Sequence, residues 1–352
     1  MPKIYVYPAD QAGCGSFRLT WPAQALRSQG HDVVIMSPQA RGLGGGLDAN
    51  GRLVEVQYPA DADVIVMQRL TFGPTSQAVS LLRQAGVAVV VDMDDDLSTI
   101  HPANPAFDLY RPRRDSQHSW RNAELACKNA TLVTTSTDAL ISRYASHGRG
   151  VVLRNCVPAA YLDLPRHDSD VIGWGGTVRT HPDDLQQLGN AAARLVGEGH
   201  RFKVVGPPDG VQDALRLPHP PDSTGTVDLM AWPQALSTLG IGVAPLAQTM
   251  FNRSKSWLKP LEKAAAGVPV VVSPSAEYQR LHREGVGLLA GRPKDWYRQL
   301  RRLIDDPGLR ADMSAAGRDV AARHTIEDNA WRWLEAWMHA YKLQRHAATV
   351  AA

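Results

Sequence analysis

Short apolar runs alternate with helical stretches along the whole chain. Apolar strands that are separated by helices are typical of buried parallel sheets with helices on both faces. Two sets of such strands predict an α/β fold with two Rossmann-like, doubly wound domains. The predicted strands are residues 3–7, 31–36, 63–67, 87–92, 131–135 and 151–153 in the first set and 171–174, 201–205, 241–246, 268–273 and 287–290 in the second; the predicted helices include 76–85, 138–146, 183–197 and 255–266.

A polar, proline-containing stretch at 156–170 separates the two sets of strands. Composition of this kind marks a boundary between folded elements. We therefore expect a first domain over residues 1–157 and a second over residues 158–328. Residues 329–352 form a predicted helix that is rich in tryptophan. Its aromatic side chains need a large apolar surface, so we expect this helix to pack back onto the first domain.

Composition and charge are those of a globular protein. Of the 352 residues, 44% are hydrophobic and 21% are charged, and the formal net charge is +3. No apolar run is long enough to cross a bilayer, and the N-terminal sequence MPKIYVYPAD is typical of a first strand rather than a signal peptide. The three cysteines, Cys14, Cys127 and Cys156, are scattered and odd in number. They do not indicate a disulfide framework, so we expect a cytoplasmic protein.

Two glycines lie in the first turn between a strand and a helix, within PADQAGCGSFRL. Gly13 and Gly15 would let the backbone approach a ligand closely and would leave helix amides facing an anion. A dinucleotide fingerprint needs a third glycine where Arg18 stands, so the pattern does not favour a nicotinamide or flavin site. Arg18 favours phosphate or sugar oxygens instead. A tight turn without a ligand explains the glycines equally well.

The second set of strands opens with a matching turn, VIGWGGTVRTHPDDL. Gly175, Gly176 and Thr177 follow the strand, and Arg179 lies two residues further on. Backbone amides and a guanidinium at this place predict a second site that could hold a phosphate. The alternative is a turn that binds nothing.

The segment MFNRSKSWLKPLEKAAAGVPVVVS combines charged residues with a helix end and a new strand. Lys255, Lys259 and Glu262 have spacings that would place two cations and a carboxylate on one face of a helix over 255–266. Gly267 would end that helix. From the pattern alone, an exposed face of ion pairs is the simpler interpretation.

This same segment resembles the donor-site helix of family-4-type glycosyltransferases. That family has the GT-B fold, in which two Rossmann-like domains face a cleft. Glu262 matches the second of two family glutamates, which precedes a small-residue run and G-x-P-V-V and holds the ribose hydroxyls, whereas Ser254 stands where the first would be. A sub-branch with the pattern F-N-x-x-K-S-x-x-K-x-L-E is more similar, and it implies that Lys255 and Lys259 serve the donor.

The resemblance covers most of the chain and implies a reaction. A sugar would pass from a nucleoside diphosphate sugar, such as a UDP-sugar, to an acceptor hydroxyl, with retention at the anomeric carbon. No metal and no further cofactor would be required. The first domain would hold the acceptor, and the second would bind the donor through its glycine turn and Glu262.

Carboxylates crowd together at the end of the predicted strand 87–92. Asp92, Asp94 and Asp95 lie there, and ligands bind at the carboxyl ends of strands in open α/β sheets. Crowded carboxylates repel each other, which raises the pKa of at least one and favours a proton acceptor. We therefore expect Asp94 or Asp95, with Asp92 beside them, to orient or deprotonate the acceptor hydroxyl. A solvated acidic loop is the alternative.

Arginines cluster within RPRRDSQHSWR. The patch from Arg111 to Arg121 could attract an anionic acceptor, such as nucleic acid, a lipid head group or an acidic glycan, or it could be a solvated basic face. With this patch, a phage-type glycosyltransferase that acts on hydroxymethylated DNA bases is an alternative function. A catalytically inactive module that binds a sugar nucleotide or a partner is a further alternative. The acceptor itself, whether glycan, lipid-linked glycan, protein or modified DNA, stays open.

Overall fold

A computed structural model describes residues 1–38, 43–110 and 119–351. The chain divides into two compact units. The first unit comprises Met1–Ile100, Ala106–Asn155 and Ile326–Ala352, and the second comprises His101–Pro105 and Cys156–Thr325. The hydrophobic pattern gives no sign that the short segment His101–Pro105 leaves the first unit for the second.

Each unit is built on a six-stranded sheet whose strand pairs are all parallel. The strand order is β2-β1-β3-β4-β5-β6 in the first unit and β12-β11-β10-β7-β8-β9 in the second. The strands are β1 Ile4–Tyr7, β2 Val33–Ile35, β3 Val64–Gln68, β4 Ala88–Met93, β5 Leu132–Thr135, β6 Gly150–Val152, β7 Ile172–Gly175, β8 Phe202–Val205, β9 Asp222–Ser223, β10 Ile241–Ala244, β11 Val270–Val272 and β12 Leu288–Leu289. Every predicted strand is present, and the two Rossmann-like sheets confirm the predicted fold class.

Helices occupy most of the connections between the strands. The α-helices are α1 Gly13–Gly15, α2 Trp21–Ser28, α3 Gly73–Gln84, α4 Phe107–Tyr110, α5 Ser119–Asn129, α6 Asp138–Tyr144, α7 Ala191–Gly197, α8 Val211–Leu215, α9 Trp232–Ser237, α10 Met250–Arg253, α11 Leu258–Ala265, α12 Ala276–Arg283, α13 Pro293–Asp305, α14 Pro307–Ala322, α15 Ile326–Asn329 and α16 Trp331–Ala351. A wider π-type turn, Ser16–Thr20, joins α1 to α2, and short 3-10 turns lie at Leu97–Thr99, Ala159–Asp163, Val178–Thr180 and Leu185–Leu188.

The core of the first unit lies on the inner strands of its sheet. Every residue of β3 and β4 is buried, as expected for parallel strands that are covered on both faces. Helix α16 packs against β3, β4 and β5. Its Trp333 and Trp337 are fully buried, which satisfies the need of these large side chains for apolar surface.

Two predicted helices differ from the structure. The helix expected over 183–197 is interrupted, because Asp183 and Gly189 both have positive φ angles, of 67° and 57°. The helix expected over 255–266 begins at Leu258. Pro260 explains this later start, since its ring would clash with the carbonyl of residue 256 in a helix that began earlier, whereas proline is tolerated in a first turn.

Strand β9 was not predicted. Asp222 and Ser223 are both exposed, and they extend the second sheet beyond Lys203 and Val204 of β8. Two polar residues at a sheet edge carry no hydrophobic alternation, so the sequence pattern could not reveal them.

No helix in the described ranges is both long and apolar enough to cross a membrane.

Candidate active site

The second glycine turn encloses the amino group of a lysine. Lys259 Nζ donates a hydrogen bond of 2.9 Å to the Gly175 carbonyl and lies 5.4 Å from the centroid of the Trp174 ring. A side chain at Gly176 would place its Cβ only 3.1 Å from Lys259 Nζ, and the φ angle of 149° at Gly176 also favours glycine. Burial lowers the pKa of Lys259 to about 8, although Asp184 and Glu262 oppose the shift. The turn therefore holds a cation directly beneath its backbone.

Glu262 follows one turn later on α11 and is also buried. It is 6% exposed, and its Oε1 accepts a hydrogen bond of 3.0 Å from Trp232 Nε1 on α9. Burial raises the pKa of this carboxyl, while Lys263, Lys259 and the Trp232 hydrogen bond act in the opposite direction. An exposed face of ion pairs, the simpler interpretation of the sequence, is therefore wrong for this helix.

Lys255 does not lie on α11 with Lys259 and Glu262. It lies in the connection between α10 and α11, with its Nζ 4.2 Å from the centroid of the Phe251 ring. The predicted alignment of Lys255, Lys259 and Glu262 on one helix is thus wrong for Lys255, because the proline start of α11 excludes it. Ser254, which stands where the family has its first glutamate, donates its hydroxyl proton to the Phe251 carbonyl at 2.7 Å.

The loop after the glycine turn is fixed by Asp184. Its Oδ1 accepts hydrogen bonds from Ala247 N at 2.8 Å and from Asn252 Nδ2 at 2.7 Å, and its Oδ2 lies 3.3 Å from His181 Nδ1. Burial and the nearby Lys259 lower the pKa of His181, which keeps the imidazole neutral. One buried carboxylate thus ties the turn to the segment that leads into the lysines.

Thr177 and Arg179 lie on the first part of this loop. Thr177 is half-buried, and its carbonyl accepts a hydrogen bond from Thr180 N. Arg179 is exposed on the 3-10 turn Val178–Thr180. Two residues of the segment His101–Pro105 also reach the loop: His101 Nε2 lies 3.2 Å from Asp183 Oδ2, and Asn104 Nδ2 donates to the Thr180 carbonyl at 3.2 Å.

In the first glycine turn, the backbone amides donate to an aspartate side chain of the same turn. Asp10 Oδ1 accepts hydrogen bonds of 2.9 Å from Ala12 N and from Gly15 N. A Cβ on Gly15 would lie 1.9 Å from the Asp10 carbonyl oxygen, so glycine is required by the packing of the turn. Gly13 is half-buried beside it. The Gly15 N–H already donates its hydrogen bond to Asp10 and does not face a ligand. The geometry of this turn therefore favours the interpretation without a ligand.

Arg18 and Asp92 form an ion pair inside the first unit. Their side chains are 1% and 0% exposed, so neither can reach a substrate. Arg18 Nη1 also donates to Asn155 Oδ1 at 2.8 Å and to the Leu153 carbonyl. The expectations that Arg18 contacts a donor and that Asp92 takes part in catalysis are therefore corrected: this pair stabilises the fold.

Asp94 and Asp95 are paired with one arginine that the sequence did not single out. Arg69 Nη2 lies 2.7 Å from Asp94 Oδ2 and 3.1 Å from Asp95 Oδ2. Arg69 follows β3 with a φ angle of 51°, a region that non-glycine residues seldom adopt and that clusters at functional sites. The expected repulsion among crowded carboxylates is thus relieved, because Asp92, Asp94 and Asp95 each have a cationic partner.

A cavity of about 480 Å³ opens beside Arg69. Its lining includes Asp10, Thr71, Phe72 and Tyr110, all of which belong to the first unit. The cavity lies after the ends of β1 and β3, where open α/β sheets bind ligands.

The predicted basic patch cannot be traced as a whole. Arg111, Arg113 and Arg114 lie outside the described residues. Arg121 is described: it is exposed and its guanidinium carbon lies 5.3 Å from the centroid of the Trp120 ring. Within the described ranges, no group of three or more His, Cys, Asp or Glu side chains is arranged to hold a metal ion.

The sequence analysis did not single out three residues that lie beside the predicted ones. Trp232 donates a hydrogen bond to Glu262, Lys263 follows Glu262 on α11, and Arg69 pairs with the two aspartates. Trp232 and Arg69 lie outside the motifs quoted above, whereas Lys263 is part of the donor-helix segment.

Comparison with known proteins gives a family match over part of the chain and a fold match over most of it. Residues 179–335 match a family model described as glycosyl transferase-like, and each unit has the parallel, Rossmann-like sheet of solved GT-B structures. The chain has the GT-B fold, and its residues 179–335 are similar to a glycosyl transferase-like domain. A search of curated proteins finds none that matches this chain.

Several solved structures resemble this chain over nearly its whole length. HepE from Anabaena, solved in complex with UDP, is 16% identical with a TM-score of 0.63, and the match covers 95% of this chain and 99% of HepE. Sucrose-phosphate synthase from Thermosynechococcus elongatus is 14% identical with a TM-score of 0.62, covering 97% and 100%. A glycosyltransferase from Rickettsia africae is 14% identical with a TM-score of 0.59, covering 97% and 98%. At these identities the likeness establishes the fold alone.

Proposed function

We propose that this glycosyltransferase moves a sugar from a UDP-sugar to an acceptor hydroxyl. The observation that carries the proposal is the position of Glu262: a buried carboxylate on α11, one turn after a lysine that is enclosed by the second glycine turn. Carboxylate oxygens can accept two hydroxyl hydrogen bonds at once, which suits the paired hydroxyls of a ribose. HepE was solved with UDP and with UDP and glucose, which favours UDP as the nucleotide.

The remaining donor contacts come from the glycine turn and its cations. The Gly176 amide donates to the Val205 carbonyl and the Gly175 carbonyl accepts from Lys259, so these two glycines would shape the turn and Thr177 would offer its amide to the diphosphate. Lys255, Lys259 and Arg179 would be the cations. When the bond between the anomeric carbon and the phosphate oxygen breaks, the leaving diphosphate gains negative charge. Preorganised cations stabilise such developing charge without the need for solvent to reorganise.

The acceptor would be activated in the first unit. Asp94 and Asp95 are held by Arg69 next to the cavity of about 480 Å³, and one of them would orient the acceptor hydroxyl or take its proton. The acceptor oxygen then forms the new bond to the anomeric carbon. By resemblance to family-4-type enzymes we propose that the configuration at that carbon is retained, that the chain requires no metal, and that it acts in the cytoplasm.

Nucleotide binding tests this proposal. Thermal unfolding should be measured with UDP, ADP and GDP at equal concentration, because a ligand that binds only the native state at 100 times its Kd stabilises it by about 2.7 kcal/mol. We expect UDP to raise the melting temperature most. Slow release of UDP from a UDP-sugar in the absence of acceptor would then show working chemistry. No shift with any nucleotide, and no hydrolysis of a panel of sugar nucleotides, would contradict the proposal.

A further inference from the structure

The cavity beside Arg69 combines an exposed apolar rim with polar groups. Phe72 is 54% exposed and Leu109 is 59% exposed, and both line this cavity. Large apolar side chains that stay accessible in one place mark a binding surface more often than isolated ones do. The volume of about 480 Å³ falls within the range of small-molecule sites. The cavity is therefore sized for one small molecule or for the end of a larger one.

Arg69 brings hydrogen-bond donors to the cavity. Its Nε and Nη2 donate to Asp94, and Nη2 also reaches Asp95 Oδ2 at 3.1 Å and Cys14 Sγ at 3.3 Å. Its Nη1 has no hydrogen-bond partner among the described residues. An arginine side chain does not lose its protons in proteins, so Nη1 can donate to a ligand.

Carboxylate acceptors accompany the same guanidinium. Asp94 and Asp95 are paired with Arg69, and Asp10 lines the cavity with it. Asp10 Oδ1 accepts from Ala12 N and Gly15 N, whereas Asp10 Oδ2 has no hydrogen-bond partner in the part of the chain that the structure describes. Donors and acceptors side by side suit hydroxyl groups, which both donate and accept, whereas an ionised carboxylate only accepts.

The charges of the described residues around the cavity disfavour an anion. The carboxylates of Asp10, Asp94 and Asp95 outnumber the single guanidinium of Arg69. Like charges that are brought together cost free energy, and the cost is larger in a partly buried site than in water. A uronate or a phosphate would meet this excess of negative charge. A base flipped out of DNA could stack on Phe72, but its nucleotide would bring backbone phosphates with it.

We propose that this cavity binds an uncharged sugar as the acceptor, with the C–H face of the sugar ring on Phe72 and its hydroxyls at Arg69 and the neighbouring carboxylates. The inference rests on the proposed glycosyl transfer and names its acceptor class. The negative face of an aromatic ring attracts polarised C–H groups, and the hydroxyls at the edge of a sugar ring meet the polar groups. The reacting hydroxyl gives its proton to Asp94 or Asp95, its oxygen bonds to the anomeric carbon, and UDP leaves with the electrons of the broken bond.

Saturation-transfer NMR on the full chain tests sugar binding without a donor. The probes are the methyl glycosides of glucose, galactose and mannose, each compared with the methyl uronide of the same sugar at pH 7. We expect saturation of the C–H protons of at least one neutral glycoside and a weaker signal from its uronide. F72A should weaken binding of that glycoside by about three- to tenfold, the scale of one aromatic contact. F72Y keeps the ring and should bind as wild type does.

The matched control is W331A. Trp331 is another exposed aromatic side chain of the first unit, at 55%, and it lines a separate cavity with Val151 and Val152. W331A should bind the glycoside as wild type does. Equal losses in F72A and W331A would overturn the inference. So would the absence of binding by every neutral glycoside, or tighter binding of a uronide or of an oligonucleotide that contains 5-hydroxymethylcytosine.

The outcomes also distinguish this inference from the proposed function. If wild type binds UDP and hydrolyses a UDP-sugar, but no neutral glycoside binds in a way that depends on Phe72, only the acceptor class is wrong. If a glycoside binds through Phe72 and no nucleotide or sugar nucleotide is bound or hydrolysed, the cavity is a sugar site and the proposed transfer fails.

Discussion

Arg18 and Asp92 are bound to each other through two hydrogen bonds, Nε to Oδ1 at 3.1 Å and Nη2 to Oδ2 at 2.7 Å, in the interior of the first unit. Thr134 donates a third hydrogen bond to Asp92 Oδ2 at 2.7 Å. The pair links the turn after β1 to β4 and β5. A buried ion pair of this kind is costly to break, because removal of one partner leaves an uncompensated charge.

The first prediction concerns this pair. D92N and R18M should each lower the free energy of unfolding by about 3–5 kcal/mol, since each leaves one buried group without its counter-charge. The double variant R18M/D92N should lose less than the sum of the two. Urea denaturation checks the values. If D92N kept wild-type stability and lost only glycosyl transfer, Asp92 would be a catalytic residue after all.

The second prediction concerns the ribose. E262A should lose about 1.5–3 kcal/mol of UDP affinity, the range for hydrogen bonds to a charged group. Calorimetry at pH 8 is the measurement. E198A is the matched control, because Glu198 pairs with Arg194 on the surface of the same unit and should leave binding unchanged. Equal affinity of E262A and wild type for UDP would exclude the ribose role.

The third prediction concerns Lys259 and pH. Because burial lowers its pKa to about 8, Lys259 is protonated below that pH and loses its charge above it. We therefore expect turnover to decline as the pH rises past about 8, and this alkaline decline should be absent in K259M. K259M itself should lose about 10²-fold in turnover at pH 7, the scale for one preorganised electrostatic group.

The control for Lys259 is K294M, which removes an exposed lysine of the second unit. K294M should have the wild-type pH profile. Full activity of K259M on saturating donor would mean that Lys259 has only a structural role at Gly175.

The fourth prediction concerns the acceptor. At least one of D94N and D95N should lose transfer to acceptor by about 10²-fold, the usual scale for a lost acid–base group, with UDP affinity unchanged. Initial rates with and without acceptor give the measurement. D138N, which removes a carboxylate paired with Arg154 in the same unit, is the control. Wild-type transfer rates in both variants would leave the acidic loop without a catalytic role.

The sequence by itself specified the local elements of this protein. Apolar runs between helical stretches determine parallel strands, because a strand covered on both faces needs apolar residues throughout. Gly176 and Glu262 could also be identified from the sequence, because each lies in a motif formed by consecutive residues. Even the start of α11 was readable in principle, since Pro260 excludes a longer helix.

Only the tertiary structure decided which charges meet. Arg18 and Asp92 are separated by 74 positions, and Arg69 reaches Asp94 across 25, so no local pattern relates them. The sequence suggested crowded carboxylates and an arginine that binds a ligand, whereas the fold gives each carboxylate a partner and pairs Arg18 with Asp92. Burial is decided in the same way: Lys263 on α11 has room in the interior only because Gly242 on β10 has no side chain. Pairing and burial are properties of packing, and the linear order of residues does not contain them.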